Sequence, residues 1–120
     1  MRATAPAPPG TPAGYRFHRS AVLPWLLRQS RGGGARPSGG SAVSAIVDPP
    51  REGLLNDFAE FARCLELLGV STLVAVGCDP DSWARDLGRL LKSGWRVERM
   101  AILDLFPQTP HVESMALLRR

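Results

Sequence analysis

The sequence predicts an α/β fold that begins near residue 41 and continues to residue 120. Three observations predict it. Short, continuous apolar runs are typical of buried strands, apolar residues recur at helical spacing between these runs, and the last two runs follow one another without a helix. The alternation of strands and helices favours a parallel sheet with right-handed crossovers, and the closing pair predicts an antiparallel hairpin at one edge.

Residues 1–40 are predicted to form a disordered basic arm and linker outside this fold. Residues 1–47 contain six arginines and no acidic residue, whereas residues 48–120 contain nine basic and 11 acidic residues, so the excess charge of the +4 chain lies in the arm. A short basic helix over residues 15–31 is an alternative, but Pro24 is expected to interrupt it. A basic arm can bind RNA or an acidic surface without sequence preference, or it can be a solvated segment.

The glycine-rich segment 32–41, GGGARPSGGS, is predicted to be a flexible linker. The alternative is a phosphate-binding loop, which follows a strand, opens a helix and contains Gly-Lys-Ser or Gly-Lys-Thr. This segment precedes a strand and lacks the lysine, so the linker is the preferred interpretation.

Residues 42–47, AVSAIV, are predicted to be the first strand, which ends at Asp48. Its continuous apolar character suits a parallel strand that is covered on both faces. A helix that ends at Gly69 follows, and its apolar positions are Leu54, Leu55, Phe58, Phe61, Ala62, Leu65 and Leu68. Cys64 lies near this apolar face and is expected to belong to the core. Residues 72–76 are predicted to be the second strand.

The second predicted helix opens at Asp79 and Pro80, because aspartate caps helix N-termini and proline is tolerated in the first turn. This helix ends at Ser93 and Gly94, and its apolar face consists of Trp83, Ala84, Leu87, Leu90 and Leu91. Residues 95–103 are predicted to be the third strand, and residues 112–118 the fourth, which runs back after a loop.

The composition excludes several classes of protein. Two cysteines make no disulfide framework and no metal-binding spacing, so a reducing cytosol is the expected compartment. A run of 18 apolar residues is absent, which argues against a membrane span, and no signal-peptide pattern is found. The arginine-rich, acid-free start resembles an organellar transit peptide in composition, and that alternative stays open.

Two residues stand at predicted strand ends, where α/β sheets bind their ligands. Asp48 and Cys78 follow successive parallel strands, so both are expected to face one crevice. Cys78 also precedes a helix N-terminus, whose partial positive charge favours a thiolate, so it is a candidate nucleophile. The alternative is a small buried thiol at a tight turn.

Three segments carry a family resemblance: 48–53 (DPPREG), 77–80 (GCDP) followed by 84–87 (ARDL), and 104–113 (DLFPQTPHVE). They resemble the three C-terminal signatures of the RNA (uracil-5-)-methyltransferase family. The first and last fit the family pattern at its constrained positions. The middle segment departs from the common Tyr-x-Ser-Cys-Asn-Pro, because Ala75, Gly77 and Asp79 replace the Tyr, Ser and Asn.

The resemblance covers residues 42–120 and implies the C-terminal half of a Rossmann-like class I methyltransferase sheet. It also implies a function, the S-adenosylmethionine-dependent methylation of uridine C5 in RNA, with ribosomal RNA expected ahead of transfer RNA. The glycine-rich loop that holds this donor in the family is not found before residue 41. The donor site is therefore expected to be incomplete, and the chain to be a partial one with little activity alone.

The resemblance also assigns roles to residues. Cys78 would be the nucleophile that adds to uracil C6, and Glu113 the general base that removes the C5 proton. Asp48 would contact the methyl donor, while His111, Arg51 and Asp104 would support the site. The base must be splayed out of the RNA to reach such a pocket. No metal and no membrane partner are implied.

Two other functions are weighed. The first is a catalytically inactive fragment that binds RNA through its basic arm; it predicts that Cys78→Ala leaves RNA binding unchanged and that deletion of residues 1–40 abolishes it. The second is a thiol-dependent hydrolase or redox protein. It is disfavoured because Cys78 has no resolving cysteine nearby and no suitably placed acyl-transfer base.

Overall fold

The computed structural model describes residues 4–5, 9–10, 14–32, 42–54 and 57–120. The elements, in chain order, are β1 (Thr4–Ala5), β2 (Phe17–His18), α1 (Val22–Arg31), β3 (Val43–Val47), α2 (Phe58–Leu67), β4 (Val70–Gly77), α3 (Pro80–Lys92), β5 (Arg96–Leu103) and β6 (Glu113–Arg119). Strands β1 and β2 form a small antiparallel pair. Most of the predicted linker, residues 33–41, lies outside the described residues.

The main sheet has four strands in the order β3-β4-β6-β5. Strands β3 and β4 are parallel, and β6 is antiparallel to both of its neighbours, β4 and β5. The predicted α/β alternation and the closing antiparallel hairpin are confirmed. The last strand inserts between β4 and β5, so β5 runs parallel to β4 from the edge of the sheet.

Both crossover helices, α2 and α3, cover the same face of this sheet. The chain moves in one direction across the sheet from β3 to β4 to β5, and right-handed crossovers then place successive helices on one side. The core lies between these helices and the face formed by Leu73, Ala75, Ala116 and Leu118, which are at most 7% exposed. Here α2 contributes Phe61, Cys64 and Leu65, so Cys64 is a core residue as expected.

The expectation that β3 is covered on both faces is wrong. Residues of β3 alternate between half-buried and exposed, and Ile46 is 76% exposed. Ile46 pairs with Val74, which in turn pairs with Leu117, so an apolar row crosses the face opposite the helices. In the part of the chain that the structure describes, no helix covers that row, and the outer edge of β3 has no paired strand.

The first helix of the α/β unit begins later than predicted. Leu54 lies in a turn, closed by a hydrogen bond from the Gly53 N–H to the Pro50 carbonyl, and α2 starts at Phe58. The backbone N–H of Leu54 is bound by a side chain of α3, as described below. The predicted position Leu55 lies outside the described residues.

Part of the arm that was predicted to be disordered is helical. Helix α1 packs against α2, and its Leu26 is only 8% exposed. The expectation that Pro24 interrupts this helix is wrong, because Pro24 occupies the third position of the helix. The first four N–H groups of a helix have no intrahelical partner, so a proline there removes no hydrogen bond. None of the helices in the described ranges is long and apolar enough to cross a membrane.

Candidate active site

The residues singled out in the sequence gather at one end of the sheet. Asp48 follows the last residue of β3, Cys78 follows the last residue of β4, and Glu113 is the first residue of β6. The register between β4 and β6 ends with Gly77 opposite Ser114. Cys78 and Glu113 are therefore the next positions on two adjacent strands. The two residues therefore lie at adjacent strand ends, one position beyond the last paired residues of β4 and β6.

The loop between β5 and β6 contains Asp104 and His111 and leads directly into Glu113. Asp104 follows the last residue of β5, whose Leu103 pairs with Glu113, so it joins the same end of the sheet. The side chain of Glu113 is partly buried. Within the described ranges its carboxylate has no hydrogen-bond or ion-pair partner.

This loop is held in shape by Thr109. The Thr109 hydroxyl donates to the Phe106 carbonyl at 2.7 Å, and the His111 N–H donates to the Thr109 oxygen at 3.3 Å. Gln108 adopts a φ of 68°, in the left-handed region that a non-glycine residue rarely occupies. The turn leaves Phe106 50% exposed beside the site.

The loop that follows β3 is fixed by three side chains of α3. The Ser82 hydroxyl donates to the Arg51 carbonyl at 2.5 Å, and Arg85 Nη2 donates to the Glu52 carbonyl at 2.6 Å. Asp86 Oδ2 accepts the Leu54 N–H at 2.7 Å. Three consecutive peptide groups of the first signature segment are thus bound by the helix that follows the nucleophile candidate.

Asp86 is the buried member of this set. It is 6% exposed, and its other oxygen, Oδ1, lies 3.2 Å from Arg85 Nε and 3.6 Å from Arg89 Nη1. A buried carboxylate requires such compensation, since an unpaired one is strongly disfavoured. The loop passes so close that Gly53, at φ 73°, has no room for a side chain: a Cβ there would lie 2.6 Å from Arg85 Nη2 and still closer to Asp86 Oδ2.

Arg51 connects this loop to the β5–β6 loop. Its Nη2 atom lies 3.2 Å from Nδ1 of His111, within hydrogen-bond distance. Two residues for which only supporting roles were predicted are therefore partners of each other, and they join the first signature segment to the third.

The nucleophile candidate sits at the start of α3 as predicted. Cys78 is partly exposed, and Asp79 caps the helix by accepting the Ser82 N–H at 2.9 Å. That backbone hydrogen bond holds the pKa of Asp79 below its ordinary value of 3.8. The preceding Gly77 lies against Trp83, because a Cβ at Gly77 would lie 2.6 Å from Trp83 Cδ1. The serine common at this position in the resembling family would collide with that indole.

Among the described residues, two of the cavities at this end of the sheet are bordered by Cys78 or by Asp48. The smaller, about 20 Å³, is bordered by Cys78 and Trp83, and it is too small for a nucleobase. The larger of the two, about 390 Å³, is bordered by Asp48 and by residues 21–24, where α1 begins. Both share the wall formed by residues 47, 49–50 and 53–54. Asp48 and Cys78 therefore border adjoining cavities.

The fit of a methyl-donor nucleoside to these residues is partial. The larger cavity has the size of a small-molecule site and includes the Asp48 carboxylate. The described strands that precede helices, β2, β3 and β4, are not followed by a glycine-rich turn of the kind that lies against a dinucleotide or nucleoside. The described residues by themselves therefore do not make a complete donor site.

Some functional contacts were not found in the sequence. Ser82 and Trp83 belong to none of the three signature segments. Asp86 was noted only as part of the second one. Their partners lie 8 to 32 residues away along the chain. The sequence signal that could have indicated a buried carboxylate was the charged pair Arg85 and Asp86, which precedes the apolar position Leu87 of a helix.

In a comparison with known proteins, residues 41–120 match the family described as tRNA (Uracil-5-)-methyltransferase. The 23S rRNA (uracil(1939)-C(5))-methyltransferase RlmD of Pseudomonas fluorescens Pf0-1 is 49% identical over 79 residues, which cover 65% of this chain and 16% of the relative. The enzyme of the same name from Chromohalobacter salexigens is 47% identical over 75 residues, 62% of this chain and 15% of the relative.

A solved structure is also similar. The Pyrococcus abyssi tRNA (uracil-54, C5)-methyltransferase, crystallised in complex with S-adenosyl-L-homocysteine, superimposes with a TM-score of 0.52 at 36% identity. The match covers 65% of this chain and 19% of that structure. The chain thus spans about a sixth of the length of the curated relatives it matches.

Proposed function

The chain belongs to the tRNA (uracil-5-)-methyltransferase family, and from that premise we propose that it provides the catalytic end of an enzyme that methylates C5 of a uridine in RNA. In this proposal β3 to β6 are the C-terminal half of a class I methyltransferase sheet. The observation that supports it best is the β4–β6 register, which ends with Gly77 opposite Ser114, so that Cys78 and Glu113 are the next residues at two adjacent strand ends.

The pair has complementary chemistry. Uracil C5 is a weak nucleophile, and addition of the Cys78 thiolate to C6 converts the C5–C6 double bond into an enolate with electron density at C5. S-Adenosylmethionine, when bound, supplies the methyl group that C5 gains. The Glu113 carboxylate then takes the C5 proton, the electrons of that C–H bond restore the C5–C6 double bond, and the Cys78 thiolate leaves.

The other predicted residues have supporting roles in this proposal. Asp48 borders the larger cavity and would contact the donor there, as one part of a site that needs further residues. Asp104 lies beside Glu113 at the end of β5. Ribosomal RNA is the proposed substrate, because the relatives named for 23S rRNA are 47–49% identical while the solved tRNA enzyme is 36% identical.

A covalent adduct tests this function. The chain is incubated with an RNA that contains 5-fluorouridine, with and without S-adenosylmethionine, and analysed by intact and peptide mass spectrometry. We expect an RNA adduct on the peptide that contains Cys78 and none on the peptide that contains Cys64, which is 1% exposed. Cys78→Ala should abolish the adduct.

The same experiment separates the proposed enzyme from an RNA-binding fragment. Such a fragment would bind the RNA through its basic arm, lose binding when residues 1–40 are deleted, and form no adduct with the 5-fluorouridine RNA. RNA binding without any adduct would therefore contradict a catalytic role for Cys78.

A further inference from the structure

The β5–β6 loop, residues 104–112, is bound by a side chain of another loop. Its own turn is closed by Thr109 and Phe106. Among the described residues, the bond between Arg51 and His111 is the side-chain hydrogen bond that ties this loop to another element. The two partners are 60 residues apart in the chain, so the contact depends on the tertiary fold.

The backbone around Arg51 is bound by side chains of α3. The Arg51 carbonyl accepts from the Ser82 hydroxyl, and the two following peptide groups are bound by Arg85 and Asp86. The backbone of Arg51 is therefore fixed to α3, and only its side chain crosses to the second loop. A side chain whose backbone is fixed in this way loses less conformational entropy when it makes a directed contact.

The hydrogen-bonding groups of the two side chains determine the tautomer of His111. A guanidinium has only N–H donors, so Nδ1 of His111 must be the acceptor. An imidazole that accepts at Nδ1 is neutral and has its proton on Nε2. We propose that Arg51 is a positioning residue, which fixes His111 as the Nε2–H tautomer and thereby orders the loop that leads into Glu113.

This role deepens the proposed function, because the loop that Arg51 would hold ends at the proposed base. It competes with a different use of the same side chain, the binding of an RNA phosphate. In that second case Arg51 would be free to leave His111, and the histidine would not depend on it.

The chain offers a clean test, since His18 and His111 are its two histidines. Long-range 1H–15N spectra of the 15N-labelled chain at about pH 8, where an ordinary imidazole is neutral, report the tautomer of both rings in one sample. Arg51→Met removes the donor without a large change in side-chain length. Arg99→Met is the matched control, because Arg99 is also exposed and its loss changes the net charge equally.

We expect His111 to populate the Nε2–H tautomer almost completely in the unsubstituted chain. Arg51→Met should shift its tautomer ratio by about fivefold, as expected for the loss of one modest hydrogen bond. The backbone order parameters of Thr109 and His111 should fall from about 0.85 toward 0.6 or less. Arg99→Met should change neither quantity, and His18, which stacks on Trp25 at 5.6 Å, should be unaffected by both.

An unchanged His111 tautomer ratio in Arg51→Met would overturn this role, whatever the order parameters do. The amide shifts of β4 show in the same samples whether the variants are folded. These readouts do not depend on Cys78, so they can succeed while the adduct experiment fails, and the reverse.

Discussion

Replacing Gly53 with alanine tests whether the first signature loop depends on its close approach to α3. Gly53 has a φ of 73°, and a Cβ would enter the space of Asp86 Oδ2 and Arg85 Nη2. Asp86 cannot move away cheaply, because it is buried and its Oδ2 accepts the Leu54 N–H at 2.7 Å. The new methyl group must therefore break that bond or displace the loop.

The expected cost has two parts. A left-handed conformation costs a residue other than glycine about 1–2 kcal/mol. Loss of a hydrogen bond to a charged group costs about 1.5–3 kcal/mol more. The sum, roughly 2.5–5 kcal/mol, is a large fraction of the 5–15 kcal/mol by which typical domains are stable. We therefore expect Gly53→Ala to unfold at a much lower temperature or denaturant concentration.

Gly69→Ala separates the two parts. Gly69 has nearly the same φ, 71°, but no atom lies within 4 Å of its added Cβ, so only the conformational cost applies. Since 1 kcal/mol corresponds to about 4–8 °C in a domain of this size, thermal unfolding should place Gly53→Ala about 10 °C below Gly69→Ala. In a double-mutant cycle with Asp86→Ala, the two substitutions should cost less together than the sum of their separate costs. Equal destabilisation by Gly53→Ala and Gly69→Ala would refute the close-approach explanation.

Two further predictions concern the donor and the helix cap. Titration calorimetry should detect no micromolar binding of S-adenosylmethionine to the 120-residue chain, because the described residues supply Asp48 without a glycine-rich turn; micromolar affinity would contradict an incomplete donor site. The pKa of Asp79 is lowered in the folded state by the Ser82 N–H, so the stability it contributes is present above its ordinary value of 3.8 and is lost as the pH falls through the lower folded value. Asp79→Asn keeps a capping oxygen but does not titrate, so between about pH 5 and pH 3 its melting temperature should fall less than that of the unsubstituted chain; an equal fall would exclude Asp79 as a source of acid sensitivity.

The order of the elements was predictable because their signals are local. Helix α3 has an aspartate cap, a first-turn proline and a terminal Ser93-Gly94 pair, and its predicted limits agree with Pro80–Lys92. The four strands of the main sheet were predicted within two residues, whereas β1 and β2 in the arm were not predicted. The start of α2 was missed because Leu54 fits the apolar periodicity of the helix but lies in a loop whose peptide groups are bound by Ser82, Arg85 and Asp86 of α3. No local pattern reports such bonds between distant residues.

The candidate site was predictable in part for the same reason. Strand ends can be located from sequence, so Asp48 and Cys78 could be placed there without a structure, while Glu113 required a family resemblance. Their grouping depends on β6 lying between β4 and β5, which only the pairing of the strands decides. The open face at Ile46 has a similar origin, since its exposure depends on both helices packing on the opposite side.

The contacts between loops give a physical reason why the three signature segments occur together in one chain. The first segment is held by α3, because Ser82 and the second-segment residues Arg85 and Asp86 bind its peptide groups. The third is joined to the first by the Arg51–His111 bond. A nucleophile and a base on separate strands need a fixed relation, and misplacement by even about 1 Å can cost a hundredfold in rate. The sheet register sets the positions of Cys78 and Glu113, and the loops around them are held by bonds that run through α3, so a change in any one segment is expected to disturb the other two.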